Sequence, residues 1–212
     1  MILSLIGMSG SGKTYWSCKL AERGFQRICC DDGIEELLQS QGHLDRRSGI
    51  QSVAQWMGQP YEPGYQERQA AYLAAEVKVV QAILDSLRRG GTGDLVIDTT
   101  GSVVYTGEEL CRGLQARSTV VYLGSSLTEL EVMFQQYSKD PKPVVWGNRF
   151  GRQKNESNET ALARCYKDLL QHRRTLYEKY ATVTIPASLL RRQQPDAKGF
   201  LDLIQGRPVS RP

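Results

Sequence analysis

The stretch Ile2-Leu3-Ser4-Leu5-Ile6-Gly7-Met8-Ser9-Gly10-Ser11-Gly12-Lys13-Thr14 joins a short apolar run to the pattern G-x-x-x-x-G-K-[ST]. Each position of that pattern has a task on a polyphosphate. Gly7, Gly10 and Gly12, with Ser9 and Ser11 between them, let the backbone N–H groups curl around phosphate oxygens. Lys13 places a compact positive charge near the β and γ phosphates, and the Thr14 hydroxyl can ligate Mg²⁺. Residues 14–23 read as a helix that Gly24 can end, with Leu20 and Ala21 on its inner side. A strand feeding a glycine turn and a helix start gathers orphan amides and the positive end of the helix dipole at one point. The expectation is a phosphate loop for a nucleoside triphosphate, ATP with Mg²⁺.

The rest of the composition narrows the class. At 212 residues the chain is long for one domain and short for two, and no stretch resembles a linker, so residues 1–212 are expected to form one domain. A chain of this size can bury a substantial core without staples. The five cysteines, Cys18, Cys29, Cys30, Cys111 and Cys165, are odd in number and show no C-x-x-C spacing, which suits reduced thiols in a cytoplasmic protein. The first strand starts at Met1, leaving no room for a leader, and no apolar run reaches the length of a membrane span. A formal charge of +4 suits an anionic small-molecule ligand, while the scattered basic residues make no case for nucleic acid. A monomer or weak dimer is expected.

Strands and helices alternate along the chain. Gln26-Arg27-Ile28-Cys29-Cys30 reads as a second strand ending at Asp31-Asp32-Gly33, with a short helix over 34–38. Residues 39–65 are polar and punctuated by glycine and proline and read as an irregular or short-helix excursion, and residues 32–64 are expected to form the acceptor-binding part of the domain. Ala70, Leu73, Val77, Val80, Leu84 and Leu87 are spaced 3-4-3-4-3, which predicts a long helix over 65–89 stopped by Gly90 and Gly91. Further strands are expected at 95–98, 119–123 and 182–185, with helices near 108–115, 127–136 and 160–180. Residues 138–156 are rich in Lys, Arg, Pro, Gly and Asn and read as a mobile flap or lid. The fold expected is an α/β three-layer phosphate-loop fold: a five-stranded parallel sheet with helices on both faces.

In such sheets ligands sit beyond the carboxyl ends of the strands. Strand ends here carry Asp31, Asp32 and Asp98. A carboxylate beside a triphosphate can hold Mg²⁺ through its waters or accept the proton of an attacking hydroxyl. Asp98 ends an apolar strand like a Mg²⁺-binding residue; it could instead cap a turn with Thr99, Thr100 and Gly101. Asp31 and Asp32 could cap the following helix, a role that suits Asp32 better. Arg173 falls in the apolar line Leu162, Tyr166, Leu169, Arg173, Leu176. A buried guanidinium there either pairs with an internal carboxylate or clamps an anionic substrate. Lys139, Lys142, Arg149 and Arg152 make the flap basic, either as a solvated loop or as a lid over the transferring phosphoryl group.

The order of these motifs resembles the shikimate kinase family, within the nucleoside-monophosphate-kinase-like phosphotransferases, over residues 2–185. Cys30-Asp31-Asp32-Gly33-Ile34-Glu35 is similar to the family's Asp-x-Asp-x-x-Ile-Glu segment, and Gly64-Tyr65-Gln66-Glu67-Arg68 to its Gly-Glu-x-x-Phe-Arg segment. Asp98-Thr99-Thr100-Gly101 stands where the family has a glycine triplet. Asp140-Pro141-Lys142-Pro143 resembles the lid's Arg-Pro, and Arg173-Arg174-Thr175-Leu176-Tyr177 resembles Arg-x-Pro-Leu-Tyr. The resemblance implies that Asp31, Arg68, Gly101 and Arg173 bind the acceptor and that Lys142 acts with Lys13 on the phosphoryl group. The pattern departs at Cys29, where the family has its first Asp, at Thr99 and Thr100, at Lys142, and in the longer, aromatic stretch 39–63.

The expectation that follows is an ATP- and Mg²⁺-dependent kinase acting on a hydroxyl of a small, acidic metabolite. Lys13, Asp31 and Lys142 would be catalytic, with Thr14 and Asp98 at the metal. A nucleotide-binding protein without turnover and a nucleoside or nucleotide kinase stand as alternatives. Asp98-Thr99-Thr100-Gly101 also fits the D-x-x-G of GTP switches, but no Asn-Lys-x-Asp guanine motif accompanies it.

Overall fold

Short apolar strands buried on both faces suit a parallel sheet covered by helices, and such a sheet is found. The computed structural model of the chain describes residues 1–45, 49–90, 93–139 and 142–207. Its strands are β1 (Ile2–Ile6), β2 (Gln26–Cys29), β3 (Leu95–Asp98), β4 (Thr119–Gly124) and β5 (Val183–Pro186). They form one 5-stranded sheet in the order β2-β3-β1-β4-β5, parallel at every pairing. β1 is central, so the chain leaves it between β3 and β4, where the strand order reverses and ligands bind in sheets of this kind.

Alternation along the strands sends their side chains into two cores. Leu3, Leu5, Val96, Val121, Leu123 and Ile185 face α1 (Lys13–Ala21), α8 (Ala187–Gln193) and α9 (Ala197–Ile204). Ile6, Leu95, Ile97, Val120 and Tyr122 face a larger core. That core is completed by α2 (Cys30–Ser40), α3 (Ile50–Met57), α4 (Tyr65–Arg88), α5 (Glu108–Arg117), α6 (Leu127–Lys139) and α7 (Asn158–Tyr180). The three layers expected are present. No described helix is long and apolar enough to cross a membrane.

Several boundaries differ from the expectation, each for a local reason. α2 begins at Cys30 rather than Ile34, so Asp31 and Asp32 lie in its first turn. The cap position falls on Cys29, with no side-chain cap bond, and Asp32 does not cap. Gly33 looked like a break, yet it is a helical packing residue: a Cβ there would lie 3.2 Å from Val79 Cγ2 on α4. β5 is shifted by one residue, to Val183–Pro186. The helices α8 and α9 lie beyond the last element expected.

The apolar stripe predicted for α4 holds in the second half of the helix and not in the first. Val80 and Leu84 are buried and Val77 and Leu87 pack half-buried against the core, but Ala70 is exposed and Leu73 half-buried, and the first half instead buries Tyr65, Gln69, Tyr72, Ala75 and Glu76. That half meets polar groups, so hydrophobic periodicity misses its buried side. The flap also divides. Val144, Val145 and Trp146 are buried, and Asn148, Arg149 and residues 151–155 are exposed. Asp140 and Pro141 of the lid motif lie outside the described residues.

Two stability predictions follow. Phe200 is fully buried and stacks on Trp16 at 4.2 Å between ring centroids, closing the smaller core. Phe200→Ala should lower unfolding free energy by about 3–5 kcal/mol in urea titration; a loss near zero would mean α9 contributes nothing to the fold. Gly7 and Gly24 both have positive φ, +145° and +93°, but a Cβ on Gly7 would lie 2.9 Å from Leu123 O while one on Gly24 meets nothing within 4 Å. Gly24→Ala should cost roughly 1 kcal/mol of backbone strain, and Gly7→Ala clearly more, about 2–4 kcal/mol. Equal losses would show that β1 and β4 can separate freely at their ends.

Candidate functional site

Beyond β1 the chain turns through Gly7, Gly10 and Gly12, at φ 145°, 79° and 100°. Ser11 N–H donates to Met8 O at 3.2 Å and closes the turn, and Ser9 and Gly10 lie exposed on its rim. Gly12 occupies the cap position of α1 without a side-chain cap, so the first-turn amides have no side-chain acceptor. This is the loop geometry that an anion cradle requires. The Ser11 hydroxyl is buried with no hydrogen-bond partner among the described residues, and Thr14 is exposed in the first turn of α1.

Lys13 is buried, and its ammonium donates to Gly7 O and Met8 O, both at 2.9 Å. Burial lowers its pKa; the carboxylates of Asp31 and Asp98 work against that, as does Glu76, while Arg173 adds to it. Asp31, half-buried in the first turn of α2, makes no side-chain hydrogen bond among the described residues. Burial raises its pKa, with Lys13 opposing. A cation and a carboxylate with spare acceptor capacity thus meet beside the loop.

Asp98 behaves differently. Its Oδ2 accepts from Ser17 Oγ at 2.9 Å and from Arg27 Nη2 at 2.8 Å, and Arg27 Nε donates to Ser17 Oγ at 2.8 Å. β2 and β3 are in register with Cys29 opposite Asp98, so Arg27 arrives from the neighbouring strand. Asp98 therefore neutralises Arg27 and ties α1 to the sheet. It does not cap the following turn, which is held by other groups. Thr99 Oγ1 donates to Leu5 O at 2.7 Å, Ser102 Oγ donates to Glu76 Oε2 at 2.7 Å, Thr100 Oγ1 donates to Glu76 Oε1, and Tyr177 OH donates to Gly101 O.

Gly101 sits at the junction. A Cβ there would lie 3.4 Å from both Arg173 Nη1 and Ser9 N, so the turn touches the phosphate loop and α7 at once. Arg173 is buried; its Nη2 donates to Val145 O at 2.7 Å, and its guanidinium lies over the Tyr105 ring at 5.3 Å. It forms no ion pair with a carboxylate among the described residues, and its Nε is buried with no hydrogen-bond partner. Of the two roles expected for Arg173, a direct ion pair is not made among the described residues, although the Glu76 carboxyl lies near enough to interact with it electrostatically. Arg68, expected beside it, is bound to its own loop: Nε donates to Met57 O at 3.0 Å, Nη1 to Pro63 O at 3.2 Å, and Glu62 Oε2 lies 3.9 Å from Nη2. No contact among the described residues joins Arg68 to Arg173.

The segment after Lys142 is pinned from below. Tyr65 OH donates to Val144 O at 2.6 Å, Trp146 N–H donates to Tyr65 OH at 3.2 Å, and Gly147 N–H donates to Gln69 Oε1 at 2.7 Å. Arg149 Nη2 lies 3.1 Å from His172 Nδ1, and His172 is parallel to the Tyr105 ring that Arg173 covers. Lys142 is half-buried at the start of this segment.

Glu76 is the residue that sequence reasoning missed. It is fully buried in the middle of α4, and burial pushes its carboxyl up to about 7 against the hydrogen bonds from Thr100 and Ser102. A usable signal was present: Tyr65, Gln69, Tyr72 and Glu76 follow helical spacing and line up with Val80 and Ile83.

Among the described residues no group of three or more His, Cys, Asp or Glu gathers as a metal site. Mg²⁺ needs no such cluster, since it keeps several waters and takes one or two protein oxygens. The exposed Thr14 hydroxyl and the unbonded Asp31 carboxylate are oxygen donors of the right kind beside the anion cradle.

No protein-family model and no curated protein matches the sequence. Solved structures do match in fold. Shikimate kinase from Acinetobacter baumannii in complex with shikimate aligns with TM-score 0.61 at 22% identity, covering 97% of this chain and 93% of that one. Shikimate kinase from Aquifex aeolicus vf5 aligns at 0.56 and 18%, covering 97% of each chain. Shikimate kinase from Bacteroides thetaiotaomicron aligns at 0.57 and 15%, covering 97% and 95%. From its phosphate loop to its last helix, the chain has the fold of the shikimate kinases.

Proposed function

We propose that the protein transfers the γ-phosphoryl group of ATP to a hydroxyl of a small, acidic metabolite. The observation that carries this reading is Arg173: a buried guanidinium that makes no ion pair among the described residues, one glycine away from the phosphate loop. A buried cation left unpaired is costly to the fold, and an anionic ligand would supply the missing charge. The similarity in fold to a shikimate kinase solved with shikimate supports an acceptor of that class.

In this reading the loop amides and Lys13 hold the β and γ phosphates, and the ammonium moves from the carbonyls of Gly7 and Met8 to the phosphate oxygens. Thr14 and, through water, Asp98 would hold Mg²⁺, which when bound offsets phosphate charge, leaving Asp31 free of the metal. Asp31, whose pKa burial already raises, orients the acceptor hydroxyl and takes its proton. Arg173 fixes the acceptor's acidic group, and Gly101 leaves the two ligands room to meet. Lys142 would approach the phosphoryl group from the lid side. The departures at Cys29, Thr99 and Lys142 favour a second reading, nucleotide binding without turnover, and the engagement of Asp98 by Arg27 is consistent with it.

ATP consumption with Mg²⁺ against shikimate, other polyhydroxy acids and nucleoside monophosphates tests the proposal directly. Turnover with a polyhydroxy acid is expected. Binding of ATP with no turnover on the whole panel would favour the second reading, and turnover with nucleoside monophosphates would reassign the acceptor. Arg173→Lys keeps the charge but loses the fork, and should raise the acceptor KM by roughly 10- to 100-fold while ATP KM changes little. Equal losses for both substrates, or a large drop in thermal stability, would return Arg173 to a structural role.

A further inference from the structure

Glu76 is buried on α4, 25 residues before Gly101 in sequence, yet it reaches the same turn from below. Both its oxygens are engaged, Oε1 by Thr100 Oγ1 and Oε2 by Ser102 Oγ, so the carboxyl straddles Gly101. The two hydroxyls are themselves 3.0 Å apart, and Ser102 N–H donates to Thr100 Oγ1 at 3.0 Å. Above the turn lie Ser9 N of the phosphate loop and Arg173 Nη1, and the Gly101 carbonyl is held by Tyr177. The phosphotransfer reading gives Glu76 no task, and a buried carboxylate is too costly to keep as filler.

We propose that Glu76 is a positioning residue: its carboxyl holds the Thr100-Gly101-Ser102 turn in place between the phosphate loop and Arg173. The role rests on the reading of this site as a nucleotide and acceptor site, and deepens it. Where the related fold has a run of glycines, as the resemblance implies, this chain has hydroxyl residues, and they need an internal acceptor to hold them. Glu76 supplies it.

The position also places the proton of Glu76 where bound phosphate can sense it. Groups facing the carboxyl are Asp31 and Cys30 from α2, Lys13 from α1, Arg173 and Tyr177 from α7, Cys111 from α5 and Tyr72 from its own helix. With its carboxyl pushed up to about 7, Glu76 is neutral below that pH and anionic above it. The anion adds negative charge near Lys13 and gives Arg173 an internal counter-charge. Both effects weaken anion binding as pH rises.

The experiment measures Mg²⁺·ADP binding by calorimetry from about pH 6 to about pH 8.5 for the wild type, Glu76→Gln and Thr100→Val. Glu76→Gln keeps size and hydrogen bonding but cannot titrate, and the ligand's own titration cancels in the comparison. Wild-type affinity should fall relative to Glu76→Gln by on the order of threefold to tenfold as pH passes about 7. Thr100→Val removes a bond to the charged form and should move that midpoint upward. Parallel curves for wild type and Glu76→Gln would overturn the proposal. Should Glu76→Gln not fold, an unmoved midpoint in Thr100→Val would overturn it instead. If divergent binding curves coexist with no turnover on any acceptor, phosphotransfer is wrong while the role of Glu76 stands.

Discussion

Gly101 is where the phosphate loop, the turn after β3 and the Arg173 guanidinium come together: an added Cβ would be in contact, at 3.4 Å, with both Ser9 N and Arg173 Nη1. The turn that carries it follows the last residue of β3, and β3 is paired to β1, so the spacing of two central strands sets the spacing of loop and turn. Thr99 repeats that constraint by donating to Leu5 O, two residues before the phosphate loop begins. Arg173 and Tyr177, one helical turn apart on α7, then take their place from Gly101. Packed interiors transmit such spacings because they deform little. The position of the guanidinium relative to the anion cradle is thus fixed by strand pairing and one glycine.

Charge is the second constraint. Lys13, Asp98, Glu76 and Arg173 are all buried within this region. Burial of an isolated ion is costly, so the arrangement has to be nearly neutral or has to await a ligand. Asp98 is balanced by Arg27, and Lys13 is shared among Asp31, Asp98 and Glu76. Lys13 and Arg173 both donate to backbone carbonyls and make no ion pair among the described residues; Arg173 has in addition an aromatic face, and Glu76 as the carboxyl that interacts with it. An aromatic face supports a guanidinium but does not neutralise it. The electrostatic imbalance lies where an acidic acceptor would bring its own charge.

What the sequence made legible was decided by how local each signal is. The phosphate loop is legible because its glycines, Lys13 and Thr14 lie within eight residues, and the three inner strands β1, β3 and β4 because a strand covered on both faces is largely apolar. Arg173 stood out because a charge interrupts an apolar stripe. Glu76 did not, since its stripe is built from Tyr65, Gln69 and Tyr72, which periodicity counts as polar or ambiguous. Asp98 was legible as a strand-end carboxylate, but its partner Arg27 sits on another strand, and the pairing of β2 with β3 cannot be seen from spacing. Gly33 misled for a related reason: the close approach of α2 to α4 makes glycine a packing residue there, not a terminator.

Arg68 shows how a long-range contact changes the acceptor side. Its guanidinium joins residues 57 and 63 across the entry to α4, and at both Gly58 and Gly64 a Cβ would meet it, at 3.0 and 2.8 Å. The two glycines and the arginine form one closed corner, which fixes the path of the loop between α3 and α4. Two of the five N–H donors of Arg68 are spent on those carbonyls, and Glu62 lies 3.9 Å from its Nη2, whereas Arg173 spends one donor on Val145 O and has no carboxylate in ion-pair reach among the described residues. Under the proposed function, Arg173 is the less committed of the two guanidinium groups. Arg68 braces the wall of the acceptor side and carries its own carboxylate with it.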